Sequence, residues 1–556
     1  MKTLNKTWFC YLIAMISVLM LNSSCSKEDS IYTPVVPTVY TTVEKTIIPN
    51  TLSPFPPLIY PYEIGKYPAY GYGGWQYGAG IAYQKRLDLM PKTYTGASVK
   101  KASALLRFFT MSDIHLVDEE TPAAAVYYSY MGGGSTSGYS ASMLLTTQML
   151  NAAVQTVNVL NKHSQFNFGI SLGDDCDNTQ YNELRWFIDV LDGKLINPDS
   201  GVKDDPIPGP NNDYQDTFQA EGLNKSIPWY QTLGNHDHFW KGSYPVTESF
   251  RPSYTGLNII NLDDPLTGLD GTGFYMGSVD GRTRYANIIG AGATDSFPNP
   301  PQVLAADPDR RSLRRNEWIN EFFTTSSSPV GHGFDQTNVS TGFACYTFEP
   351  KMDVPIRVIV LDDTQSEDDP NDGGYAHSSL DWNRFHWLVA ELDKGQSEGK
   401  LMIVAAHVPV GIGPGLWNPN APVTEDTLLS TLHHYSNLIL WVSGHRHISQ
   451  VTVQPSPDAS HPELGFWEVE TPSLKDFPQQ FRTFDVVRNT DNTISIFATN
   501  VDPIANPGSL PALARTYAIA SFQLFNYQIP YLPTGDYNAE LVKQLSPEMQ
   551  NKIKNY

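Results

Sequence analysis

Five apolar runs of this chain each break off into residues of the kind that hold metal ions. Leu105 to Met111 (LLRFFTM) leads into Asp113-Ile-His115, and Phe168 to Leu172 (FGISL) into Gly173-Asp174 with Asp177-Asn178. Ile227 to Leu233 (IPWYQTL) leads into Gly234-Asn235-His236-Asp237, Leu401 to Ala405 (LMIVA) into Ala406-His407-Val-Pro409, and Leu438 to Val442 (LILWV) into Gly444-His445-Arg-His447. Short runs rich in β-branched and aromatic residues, followed by Gly or Asp, suit strands covered on both faces. The polar residues therefore fall at strand ends, where an open α/β sheet binds its ligands. Asp113 and His115, like His445 and His447, are two apart. Alternate residues of an extended chain point the same way, so each pair is expected to face one ion from one side.

The set offers at least two carboxylates, one amide oxygen and four imidazoles, with no obvious thiolate. Two ions sharing a bridging carboxylate would use about this many protein ligands and leave positions open for water and substrate. Nitrogen and oxygen donors without sulfur favour Mn, Fe, Zn or Co.

The ordered series D-x-H, G-D-x-x-D-N, G-N-H-D, H-x-P and G-H-x-H, matched from Asp113 to His447, resembles the calcineurin-like metallophosphoesterase superfamily. The resemblance implies an α/β fold, a four-layer α/β/β/α sandwich, here with large loop insertions. It implies two divalent or trivalent ions. One would be held by Asp113, His115 and His447, the other by Asn235, His407 and His445, with Asp174 bridging. His236 would bind no metal and serve as acid or transition-state contact, supported by Asp237. Two cations roughly 3.5 to 4 Å apart can lower the pKa of a bridging water enough to give hydroxide near neutrality. The implied activity is hydrolysis of a phosphomonoester, phosphodiester or pyrophosphate by that hydroxide. His236 could protonate the leaving oxygen or hydrogen-bond the equatorial charge, and Asp237 could fix its tautomer or raise its pKa. A different class of function, a surface-exposed metal-containing receptor for a glycan or other ligand without turnover, has no need of a non-ligand catalytic histidine.

Other candidates are read locally. Asp175 and Cys176 fill the variable positions of the second motif and are expected to pack or face solvent. His238 either touches substrate or packs with Phe239 and Trp240, while the isolated His163, His332, His377 and His461 read as surface or locally satisfied groups. His433 and His434 fall in an expected helix before the Leu438 strand.

Lys2 and Lys6 precede an apolar stretch, Trp8 to Leu21, too short to span a membrane comfortably and shaped like a secretory signal. Ser23-Ser24-Cys25 then resembles a bacterial lipoprotein processing site, with Cys25 lipidated and residues 1–24 removed. Asn22 departs from the usual box. Ser26-Lys27-Glu28-Asp29 resembles the charged tag of surface-exposed lipoproteins in Bacteroidetes-type bacteria. The expectation is an exported outer-membrane or cell-surface lipoprotein of a Gram-negative bacterium, with a periplasmic or secreted protein as alternative. The membrane would be met through the lipid anchor only. Cys176 and Cys345 remain, and a bridge between them is possible. A net charge of −21 with no basic stripe argues against non-specific nucleic-acid binding.

Residues 25–57, rich in Thr and Pro, read as a tether, and 58–102, rich in Tyr, Gly and Pro, as a segment wrapping the catalytic domain. The catalytic domain is expected over 103–500, with insertions at about 195–226 and 244–350 that cap the site. Helices are expected over 142–163, 182–191, 310–323 and 379–392. Residues 501–556 form an extension, with a peripheral amphipathic helix from about Asn538.

Overall fold

The structure is a computed structural model that describes residues 39–53, 56–264, 273–367, 376–413, 415–525 and 535–556. The signal segment 1–24, Cys25 and the first part of the expected tether lie outside the described residues. Two mixed sheets carry the α/β architecture. The larger runs in the order Gln84–Leu89, Asn538–Lys543, Ile494–Val501, Phe481–Asn489, Lys101–Met111, Phe168–Ser171, Trp229–Gln231. The smaller runs Tyr346–Phe348, Ile356–Val360, Leu401–Ala405, Leu438–Ser443, Phe466–Glu470, Gln450–Gln454. All five strands expected to deliver site residues are here, and they pair in parallel with one another: Lys101–Met111 with Phe168–Ser171, Phe168–Ser171 with Trp229–Gln231, and Leu401–Ala405 with Leu438–Ser443. Their carboxyl ends therefore open on the same side of each sheet.

Both sheets feed one buried cluster. Phe108, Phe168, Phe484 and Leu541 from the larger sheet share it with Val358, Ile403, Leu440 and Trp467 from the smaller. Phe108 is stacked between Phe168 and Phe484, with ring centroids 4.8 and 4.7 Å away. Helices Thr146–His163 and Tyr181–Asp192 add Leu150, Val154, Leu184 and Phe187 to it. The alternate residues of the smaller sheet, Ile359, Met402 and Val404, pack instead on Leu388 and Leu392 of helix Trp382–Ser397 and Leu428 and Leu432 of helix Glu425–Leu432. This is the period-2 alternation that lets a strand bury both faces.

Several expectations need correction. Residues Asn538–Lys543 are a strand inside the larger sheet, and the helix is confined to Pro547–Ile553. NAELVK is rich in helix formers, but pairing on both edges and burial outweigh propensity. The expected tether is packed from Thr41 onward: Thr42 Oγ1 bonds Asn500 O and Asn538 Oδ1, and Lys45–Pro49 pairs with Trp75–Ala79. Within 58–102, Gln84–Leu89 is an edge strand of the larger sheet, while Ile59, Tyr67 and Tyr72 pack with Leu510, Ala514 and Tyr517 of helix Leu510–Phe525. The insertion expected to run to residue 350 ends earlier, because Tyr346–Phe348 belongs to the smaller sheet. Only Arg315–Glu321 of the expected 310–323 helix is α-helical. His433 caps the preceding helix rather than lying in it. Cys176 and Cys345 are both buried free thiols.

Gly169 sits opposite Phe109 in the parallel pair that leads to the site. A Cβ there would meet the Phe109 ring at 2.1 Å. Gly169→Ala is expected to destabilise the protein by about 1–3 kcal/mol through overpacking, read from the urea midpoint.

Candidate metal centre

Three of the five chain segments leave their strands in an unusual backbone state. Asp113, His115, Asp174, His445 and His447 all have positive φ, between 45° and 70°. Left-handed backbone is uncommon for non-glycine residues and costs on the order of 1–3 kcal/mol at each. It also replaces the extended geometry expected for the two i, i+2 pairs. Asp113 and His115 still reach one cluster, but His445 and His447 part company and reach two.

The first cluster joins Asp113, His115 and His447. Nε2 of His115 and Nε2 of His447 are 3.1 Å apart, and His447 Nε2 is 3.3 Å from Asp113 Oδ1. The second joins Asp174, His407 and His445. His407 Nε2 lies 2.9 Å from Asn235 Oδ1, 3.3 Å from Asp174 Oδ2 and 3.3 Å from His445 Nδ1. Asp174 Oδ2 is also 3.7 Å from His115 Nε2, so one carboxylate stands between the clusters.

The far sides of these ligands explain what they present. His447 Nδ1 donates to Asp476 Oδ2 at 2.6 Å, His407 Nδ1 donates to Leu172 O at 2.8 Å, and His115 Nδ1 faces Asp177 Oδ1 at 3.4 Å. Asn235 Nδ2 donates to Gly242 O at 2.9 Å, which turns its Oδ1 inward. With the donors of His447, His407 and Asn235 spent outward, their acceptor atoms converge inward, and what converging acceptors require is a cation. The charge balance agrees. Burial opposes protonation of His407 and His447, yet Asp174 raises the first to about 10, and Asp113 with Asp476 raises the second to about 10. Each cluster thus favours one positive charge at the point its donors share. The residues present fit two ions bound by nitrogen and oxygen.

His236 is seated beside both clusters, its ring 4.5 Å from that of His115. Its Nδ1 donates to the Asp177 carbonyl at 2.7 Å, and burial pushes it down to about 3. Asp237 does not touch this ring, which corrects the expectation that it supports His236. Its carboxylate accepts four backbone N–H groups instead, from Gly234 (2.8 Å), Asp174 (3.0 Å), Asp175 (3.0 Å) and Cys176 (3.1 Å). Four donors leave it no capacity to spare, so it is a positioning residue. The glycines of the motifs are explained by the same crowding. A Cβ on Gly234 would stand 2.2 Å from Asp174 N and Oδ1, and one on Gly444 2.5 Å from Asp113 Oδ2.

Asp175 is buried on Ser171 and Gln231, and Cys176 packs with its Sγ 3.8 Å from Gln180 O. His238 bonds Glu367 Oε1 at 2.8 Å and Thr364 Oγ1 at 3.0 Å, away from the clusters. His332 is satisfied by Trp229 O and Thr325. Sequence reasoning missed Asp476, and it missed that Asp177 is an outer anchor held by Lys241 and Lys475. Asp177 lay within a motif and carried a signal; Asp476 lay outside all five.

No protein-family model matches this chain, and no curated protein matches it. Among solved structures, a dimetal phosphatase from Danio rerio is similar at 12% identity and a TM-score of 0.38, over 72% of this chain and 98% of that one. That similarity is too distant to assign chemistry, which rests on the geometry above.

Asp476→Asn is expected to lower metal affinity about 10–100-fold by loosening His447, measured by competition with a chelator. Asp237→Asn leaves at least one buried N–H unpaired and is expected to cost about 1–3 kcal/mol, read as a lower thermal midpoint with reduced metal content.

Proposed function

We propose that this protein is a dinuclear metal-dependent phosphoester hydrolase of the calcineurin-like kind, with its sheets and flanking helices stacked as a four-layer α/β/β/α sandwich. The observation that carries the reading is the convergence of acceptor atoms in two adjacent clusters with Asp174 between them. Asp113, His115 and His447 would hold one ion, Asn235, His407 and His445 the other, and Asp174 both. Mn, Fe, Zn and Co suit these donors. Bound there, two such ions would supply a nucleophilic water at neutral pH and neutralise charge on the substrate.

The chain's own contribution beside them is His236. With Nδ1 fixed on the Asp177 carbonyl, Nε2 faces the space next to Asp174 and His115. A phosphoester anion arriving there raises the basicity of the ring. His236 then takes up its second proton with the substrate and donates from Nε2 to a phosphate or leaving oxygen. The ester class, monoester, diester or pyrophosphate, is left to the insertions that surround the site. The enzyme would work at the cell envelope, anchored through Cys25.

Hydrolysis of bis- and mono-p-nitrophenyl phosphate by protein beginning after Cys25, loaded with each metal in turn, tests the reading. His236→Ala is expected to lose about 10²–10⁴ in turnover with its metals retained, whereas Asp174→Ala loses both. Two bound metals with no turnover of either ester would favour a receptor.

A further inference from the structure

The chain leaving His115 runs through Asp118-Glu119-Glu120 into a second concentration of carboxylates, in which Glu120 is buried and Asp199 and Asp204 are half-buried. Donor oxygens of Glu120, Asp199 and Asp204 all lie within 4.8 Å of one another. Asp118 is matched by Arg310, whose Nε is 3.2 Å from its Oδ2 with both side chains 1% exposed. The other four acids are not matched. Among the described residues, the ion pair that reaches them is Arg282 Nε to Asp204 Oδ2, at 3.8 Å, from a side chain 58% exposed.

An acidic cluster alone indicates nothing, but several of the oxygens in and around it lack donors. Glu119 and Gln215 are 2% and 4% exposed, and each has an Oε1 with no hydrogen-bond partner. Asp199 Oδ1 and both carboxylate oxygens of Asp204 are buried in the same condition. The Gln215 amide is part of the cluster, since its Nε2 donates to Glu120 Oε2 at 3.1 Å. Gly281 backs the pair so closely that a Cβ would stand 2.5 Å from Glu120 Oε1 and 2.7 Å from Gln215 Nε2. Burial, with Glu119 and Asp118 adding, pushes Glu120 up to about 10, and burial with Asp204 pushes Asp199 to about 6. Such a group must take up either protons or a cation.

We propose that Glu120, Asp199 and Asp204 bind one structural divalent cation of the calcium class, with the Glu119 carboxylate or Gln215 amide oxygen and water completing its shell. The donors are all oxygen, with no imidazole or thiolate, which selects hard cations. Calcium–oxygen distances of about 2.3–2.6 Å place opposite ligands up to about 5 Å apart, which admits three donors that all lie within 4.8 Å of one another. The location gives the ion a purpose. Glu120 lies on the loop from His115, Asp199 and Asp204 on the insertion after Leu195, and Gly281 beside the hairpin of Phe274–Val279 and Ile288–Ala293 in the second insertion. One ion therefore staples the first insertion to the chain that carries Asp113 and His115, with Gly281 of the second insertion packed against Glu120.

The test does not depend on hydrolysis. Purified protein saturated with Mn is titrated with calcium by equilibrium dialysis, and its thermal midpoint is followed with and without EGTA. The expected result is one calcium per chain, a midpoint raised by a few degrees and reversed by EGTA, and at least about tenfold weaker binding in Glu120→Gln and in Asp199→Asn/Asp204→Asn. In the unmodified protein, terbium emission sensitised by Tyr214, the buried neighbour of Gln215 in the chain, should appear, yield to calcium and persist in Asp174→Ala. No bound calcium at about 10 mM, no sensitised emission, or binding unchanged in the variants overturns the proposal. A Glu120→Gln protein as stable without calcium as the parent is with it would assign the cluster to buried protons and also overturn it.

Discussion

The Asp237 carboxylate gathers the N–H groups of Gly234, Asp174, Asp175 and Cys176, and so ties the ends of two neighbouring parallel strands to one point. Asp174 is held in left-handed backbone by that grip, and its own Oδ1 in turn accepts the His236 N–H at 2.8 Å. The inter-cluster carboxylate and the non-ligand histidine are therefore positioned by one buried group that faces neither cluster. Strained backbone of this kind persists only where surrounding bonds over-determine it. Here the same device recurs at Asp113, whose carboxylate accepts the His445 N–H at 3.1 and 2.9 Å and so links the two halves of the site.

The outer contacts divide by chemistry. His407 is oriented by a backbone carbonyl and His447 by a carboxylate, while the Asp363 carboxylate holds the N–H groups of His407 and Val408. A carbonyl fixes the tautomer without adding charge, whereas a carboxylate also makes the imidazole a stronger donor to a cation. The cluster with three charged or charge-assisted members and the cluster with the neutral Asn235 are thus unequal in electrostatic strength, although each favours a cation.

The strands that carry the site were legible because they are largely apolar and end abruptly in polar residues, a pattern that double burial imposes. The ligand types were legible for the same reason. The path of the backbone through them was not. His445 and His447 reach separate clusters, as the resemblance implied and their two-residue spacing alone did not. Asp237 looked like a partner for its neighbour His236, but adjacent residues rarely face each other, and its bonds run across to another strand. Asp476 acts from a loop distant in sequence from every motif. Asn538–Lys543 misled for a different reason: its composition suits a helix, and only the open edges of Ile494–Val501 and Gln84–Leu89 make it a strand.

The arrangement of the larger sheet sets an order of assembly. Gln84–Leu89 finds its neighbour in that sheet only in Asn538–Lys543, so the sheet's earliest strand waits for its latest. The trio that leads to the metal centre, Lys101–Met111, Phe168–Ser171 and Trp229–Gln231, lies at the opposite side and needs no such delay. During synthesis one flank of the sheet can therefore close while the other stays open along Ile494–Val501, a bare edge of the kind that recruits foreign strands. The chain is most vulnerable to mispairing in the interval before Lys543 is made, long after the residues of the candidate metal centre have been made.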